Sequence, residues 1–181
     1  PAHWTLVCRG GGRGAMELDT AKPVSEKNRR SLRVTVEAPG AGVGAVNDGW
    51  WGIGLKEGAK YDLAFYARGA GGFAGPLRVT LENASGSVHA EGTVADIGAE
   101  WKRHTLTLAS RGTDPHARLV ITGGQPGTFW IDVVSLFPQA TWKGRPNGLR
   151  PDLAEMLAGL KPAFVRFPGG CWVEGDRMEL A

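Results

Sequence analysis

A chain of 181 residues with 28 glycines and 11 prolines can bury one sizeable core, but it is punctuated too often for a helical bundle. Its formal net charge of +3 on scattered basic residues argues against a nucleic-acid partner, and no apolar run approaches the roughly 20 residues that cross a bilayer. Cys8 and Cys171 stand near opposite ends, which suggests neither a disulfide scaffold nor a metal cluster.

From about residue 4 to residue 138 the pattern is all-β. Ser31–Glu37 alternates, with Leu32, Val34 and Val36 on one face and Arg33, Thr35 and Glu37 on the other. Tyr61, Leu63, Phe65 and Ala67 make a second apolar face, opposed by Asp62, Tyr66 and Arg68. Leu77, Val79 and Leu81 make a third, opposed by Arg78, Thr80 and Glu82. Further strands are predicted at 104–108, 118–122 and 129–137. Turn signals such as Asn83-Ala-Ser-Gly86 and Gly123-Gly-Gln-Pro-Gly127 separate them. Short strands at this spacing predict two packed antiparallel sheets, a jelly-roll β-sandwich over residues 1–138. Trp4, Trp101 and Trp130 sit beside apolar strand residues and are expected in its core.

The grammar then changes. Residues 139–150 read as a polar, Gly/Pro-bearing linker. Leu149, Leu153, Met156, Leu157 and Leu160 follow at helical spacing, with Pro151 in the first turn and Gly159 and Pro162 closing the helix. Residues 163–167 are short and apolar, as a buried parallel strand would be. Helix then strand is one αβ step of an incomplete TIM barrel, assigned to residues 151–181. Such a step cannot bury its own faces and needs a partner. Overall the chain reads as mainly β.

That strand runs into Arg166-Phe-Pro-Gly-Gly-Cys171, with Glu174 in the following loop. The run resembles the α-L-arabinofuranosidase family of glycoside hydrolases, in which an R-[FY]-P-G-G-C-type sequence follows an early barrel strand. Trp142–Leu153 is similar to that family's approach to the preceding barrel helix. Trp50–Arg68, together with Ile131–Leu136, is similar to the carbohydrate-binding-module-like sandwich embedded in its larger members. The resemblance spans nearly the whole chain and implies a fragment of a longer enzyme that releases terminal arabinofuranosyl residues from plant polysaccharides. Glycoside hydrolysis generally needs two carboxyl groups. By the resemblance both are glutamates on later barrel strands outside these residues, so no catalytic residue is assigned and the isolated chain is expected to be inactive. No cofactor is required.

An arginine closing an apolar strand is costly to bury unpaired, so Arg166 should meet carboxylates or sugar hydroxyls. The resemblance implies that Arg166 orients active-site groups and that Cys171 lies against bound arabinose. Arg166 could equally be an internal ion-pair residue of the barrel. On the sandwich, Trp50, Trp51, Tyr66, Arg68, Arg78 and Glu82 form a candidate strip for a carbohydrate partner. The alternative gives Trp51 a core-capping place, Trp50 a contact with the rest of the barrel, and the charged residues a wet face. The resemblance also implies a structural calcium ion at Asp132, joined by Glu17 or Asp19, unless Asp132 hydrogen-bonds a turn. Three readings stay open: accessory part of a hydrolase, stand-alone glycan-binding module, or structural domain packed on a barrel. Pro1-Ala-His-Trp4 lacks a signal-peptide pattern. The compartment is left open, an extracellular or periplasmic one suiting the longer enzyme.

Overall fold

The computed structural model of the chain describes residues 3–166. Eleven strands dominate it: β1 (Trp4–Arg9), β2 (Arg13–Asp19), β3 (Ser31–Ala38), β4 (Gly42–Asn47), β5 (Ile53–Leu55), β6 (Lys60–Ala70), β7 (Leu77–Glu82), β8 (Val88–Val94), β9 (Lys102–Ala109), β10 (Asp114–Gly123) and β11 (Gly127–Pro138). They make two antiparallel sheets. One has the order β1-β4-β10-β7-β8, with β5 also paired to β10; the other has the order β2-β3-β11-β6-β9.

The alternation read from the sequence decides what lies between the sheets. Val34, Val36, Leu63, Phe65, Leu77, Val79 and Leu81 are all buried there, joined by Ile121, Phe129 and Ile131 from the two central strands. Each fully buried side chain of this size contributes about 1.5–3 kcal/mol of transfer free energy. Strand β4 was not foreseen, because Gly42 and Gly44 break its apolar pattern. Its glycines have a steric cause. A Cβ on Gly44 would stand 1.9 Å from the Ile121 carbonyl oxygen of the neighbouring strand.

Among the described residues, those up to 139 and those from 140 onward form two compact units. In the second, a 3-10 turn at Trp142–Gly144 is tied down by the Trp142 N–H donating to the Leu149 carbonyl, and the Thr141 hydroxyl donates to the Arg145 carbonyl. The helix α1 (Pro151–Gly159) forms as predicted, with Pro151 in its first turn. Its apolar residues Leu153, Met156 and Leu157 are exposed, with Leu149 and Leu160 beside them. The strand expected at 163–167 is absent over the described residues 163–166, where Phe164 and Val165 are exposed. A lone parallel strand has no neighbour to satisfy its backbone groups, so the apolar run by itself does not make one. Among the described residues no helix is long and apolar enough to cross a membrane.

Candidate functional site

The candidate strip is divided by the fold. Tyr66 and Arg68 lie on the outer face of the β2-β3-β11-β6-β9 sheet, whereas Arg78 and Glu82 lie on the outer face of the other sheet. Neighbouring outer faces looked continuous in sequence because β6 and β7 follow one another. The chain changes sheet between them.

On the first of these faces cross-strand register places Glu17 opposite Arg33, Arg33 opposite Trp130, and Trp130 opposite Arg68. The Arg33 Nη1 donates to Glu17 Oε1 at 2.8 Å, and the Arg68 guanidinium carbon is 3.7 Å from the Trp130 ring centre. Trp101 lies 5.3 Å from the same guanidinium and donates its indole N–H to the Lys22 carbonyl. Trp130 is therefore buried, but not in the core. Its neighbours Phe129 and Ile131 face inward, so alternation turns it to the outer face. Trp101 is half-buried beside Arg68, and Trp4 packs partly against the core edge. Nor is Arg68 a wet residue; it is buried under the indoles. No sequence signal short of the strand register would have found this stack.

On the opposite sheet Glu82 is wholly buried. Its Oε1 accepts from Arg9 and Arg118, and Oε2 accepts from the Thr80 hydroxyl at 3.1 Å. Burial pushes its carboxyl up, but the two arginines outweigh burial and hold it below its ordinary value of 4.5. Arg78 is occupied too, donating to Glu91 at 2.7 Å. This face thus closes on itself through ion pairs.

Trp50 and Trp51 are the free aromatic surfaces of the candidate strip. They project from the β4–β5 loop at 69% and 83% exposure, edge to face with ring centres 6.0 Å apart. The core-capping place expected for Trp51 is not found. His116 holds the loop through the Trp51 carbonyl at 3.0 Å, and the His3 ring lies 4.8 Å from Trp50.

Beside that loop, between the sheets, a cavity of about 430 Å³ is lined by Trp4, Leu18, Leu32, Ile53, Leu119 and Leu136, with Arg30, Asn47 and Asp132 as polar members. Asp132 begins a register break in β11, and the next residue, Val133, takes a left-handed φ of +49°. Asp132 Oδ1 accepts the Val133 N–H at 2.7 Å, a contact inside the strand irregularity. Its Oδ2 is buried without a partner, and burial raises the carboxyl above its ordinary value of 3.8. The three carboxylates suggested for calcium are not brought together. Glu17 binds Arg33, while Asp19 accepts from the Trp130 indole and the Ala21 N–H. Among the described residues no three His, Cys, Asp or Glu side chains cluster to hold a metal ion.

Arg166 is exposed at the limit of the described residues; Cys171 and Glu174 lie outside them.

No family model matches the chain. Curated relatives do. An α-L-arabinofuranosidase of Arabidopsis thaliana is 40% identical over 163 residues, 86% of this chain and 24% of its own length. An extracellular exo-α-L-arabinofuranosidase of Streptomyces chartreusis is 37% identical over 93% of this chain and 19% of its own. A solved arabinose-bound α-L-arabinofuranosidase superposes with a TM-score of 0.82 at 31% identity, covering 98% of this chain and 30% of that one. The chain belongs to the α-L-arabinofuranosidases. It spans about a quarter of the length of the arabinofuranosidases it matches. The sandwich alone shares its fold with a solved family 4 carbohydrate-binding module, at TM-score 0.55 and 23% identity over 96% of that module. It likewise resembles the carbohydrate-binding-module-bearing xylanase of Clostridium thermocellum, at TM-score 0.55 and 16% identity.

Proposed function

We propose that this chain supplies the accessory sandwich and the first αβ step of an α-L-arabinofuranosidase that hydrolyses terminal arabinofuranosyl residues of plant polysaccharides. The observation that carries the reading is the match to an arabinofuranosidase over 98% of the chain, which includes the unit after residue 139 as well as the sandwich. The carboxyl pair that performs the displacement belongs to the longer enzyme. Arg166 and Cys171 are its contributions to the sugar site from this chain: a guanidinium fork that holds carboxylates or hydroxyls, and a small side chain against the ring. Assay of the 181-residue chain beside the longer polypeptide on an aryl α-L-arabinofuranoside tests this. Turnover is expected in the longer polypeptide alone, and Arg166→Lys should lower it there. Turnover by the 181-residue chain would overturn the assignment.

A second reading, a glycan-binding sandwich, draws on the bare Trp50–Trp51 pair, the one place among the described residues where two large indole surfaces face solvent together. A purely structural domain would leave those indoles to another part of the enzyme. Titration of the chain with arabinoxylan and cello-oligosaccharides, read by tryptophan fluorescence, separates the two.

A further inference from the structure

We propose that Asn147 is a site of spontaneous covalent modification, where the side-chain amide is hydrolysed to a carboxylate through a cyclic imide formed with Gly148. The fold itself imposes this labile pair. Residues 145–148 make a turn closed by the Gly148 N–H donating to the Arg145 carbonyl at 2.9 Å. Pro146 stands at its second position and Asn147 at its third with a left-handed φ of +52°, the pattern of a type II turn. That third position favours glycine or asparagine, whose short amide tolerates the left-handed region. Gly148 is fixed by a different constraint. A Cβ there would stand 2.7 Å from the Arg145 carbonyl oxygen and 3.1 Å from the Cβ atoms of Thr141 and Arg145. The two requirements meet in an Asn-Gly step, exposed at Asn147, where no side chain on the next residue shields the backbone nitrogen.

The Gly148 nitrogen gives up its proton and bonds to the Asn147 carboxamide carbon; the bond to the amide nitrogen breaks, and ammonia leaves with that proton. Water then opens the imide. Cleavage at the side-chain carbon gives aspartate, and cleavage at the main-chain carbon gives isoaspartate, whose backbone runs through one extra carbon. Nothing is oxidised or reduced. The nitrogen that must attack is the one whose N–H closes the turn, so reaction waits on turn opening. The Thr141 hydroxyl, donating to the same Arg145 carbonyl at 2.6 Å, helps to keep the turn shut. The other asparagines differ on both counts. Asn28, Asn47 and Asn83 precede Arg29, Asp48 and Ala84, and their side-chain oxygens accept from the N–H groups of Arg30, Gly49 and Ser87. At Asn147 the product places a new negative charge in a stretch that carries Lys143, Arg145 and Arg150.

Peptide mapping by mass spectrometry of the 181-residue chain, sampled during incubation in warm, mildly alkaline buffer, tests the site. Asn147 is expected to lose its amide first, with part of the product accepted by an isoaspartyl methyltransferase. Asn147→Gly keeps the left-handed position and should abolish methylation of that peptide. Thr141→Val should speed the loss by up to about tenfold, the gain in open turn expected when one hydrogen bond is removed. A parallel incubation in urea gives the rate of the opened chain, and the folded parent should stay below it whether or not the Thr141 variant folds. Earlier loss at Asn28, Asn47 or Asn83, or an intact Asn147, would overturn the site. Equal rates with and without urea would overturn control by the turn.

Discussion

The Arg68 guanidinium is sandwiched at 3.7 Å from the Trp130 ring and 5.3 Å from Trp101, on the outside of a sheet whose inside is the core. A desolvated cation over an indole is worth about 2 kcal/mol, and the arginine stem adds packing. Arg68→Ala should therefore lower unfolding free energy by about 2 kcal/mol in urea titration. Arg68→Lys should recover about half, because a compact ammonium lacks the planar surface. An unchanged midpoint for both variants would show the stack to be idle.

Glu82 predicts a distinct acid response. Its folded pKa is held below 4.5 by Arg9 and Arg118, so its stabilising contribution is complete above that pH and is lost as pH falls through the folded value. Glu82→Gln should cost about 2–3 kcal/mol at pH 7, less than for a fully buried pair because both arginines reach solvent. Below pH 4.5 its stability profile should be flatter than that of the parent chain. Chemical denaturation from pH 3 to pH 7 reads both effects.

His104 acts in a higher pH window. It is buried with Nε2 unpartnered, 5.8 Å from the Phe65 ring, and burial, aided by Lys102, holds its pKa below 6.5. The unfolded chain takes up the proton first, so stability falls as pH drops below 6.5, by at most about 1.4 kcal/mol per pH unit. His104→Phe should flatten the profile between pH 7 and pH 5, where Glu82 is silent. A slope that persists in the variant would place the proton elsewhere.

Two glycines should respond in opposite ways to the same substitution. Gly44→Ala drives a methyl into the Ile121 backbone and should cost about 3 kcal/mol, whereas Gly54→Ala meets nothing within 4 Å and should be neutral. Thermal melts of the two variants make the comparison.

Much of the sandwich was legible because apolar alternation is a direct consequence of one buried face. Leu32 to Val36, Tyr61 to Ala67 and Leu77 to Leu81 each fell where the pattern put them. Strand β4 was not legible, since glycines forced by close strand contact carry no hydropathy signal. Site residues were harder still. Which outer face a residue occupies depends on strand order, so Tyr66 and Arg78 read as neighbours and fold onto different sheets. Trp130 read as core because its neighbours are apolar, although period-two geometry places it on the other side. The apolar helix face was correctly read, and it stays exposed because nothing among the described residues covers it.

Strand order has a consequence for how the protein is made. The central strands of the two sheets, β10 between β4 and β7 and β11 between β3 and β6, are the last two of the sandwich in the sequence. A ribosome that has delivered residues 1–110 has released nine strands with a gap in the middle of each sheet. The nascent domain therefore waits for two late strands, one for each sheet, with its inner edges open to other chains until they arrive.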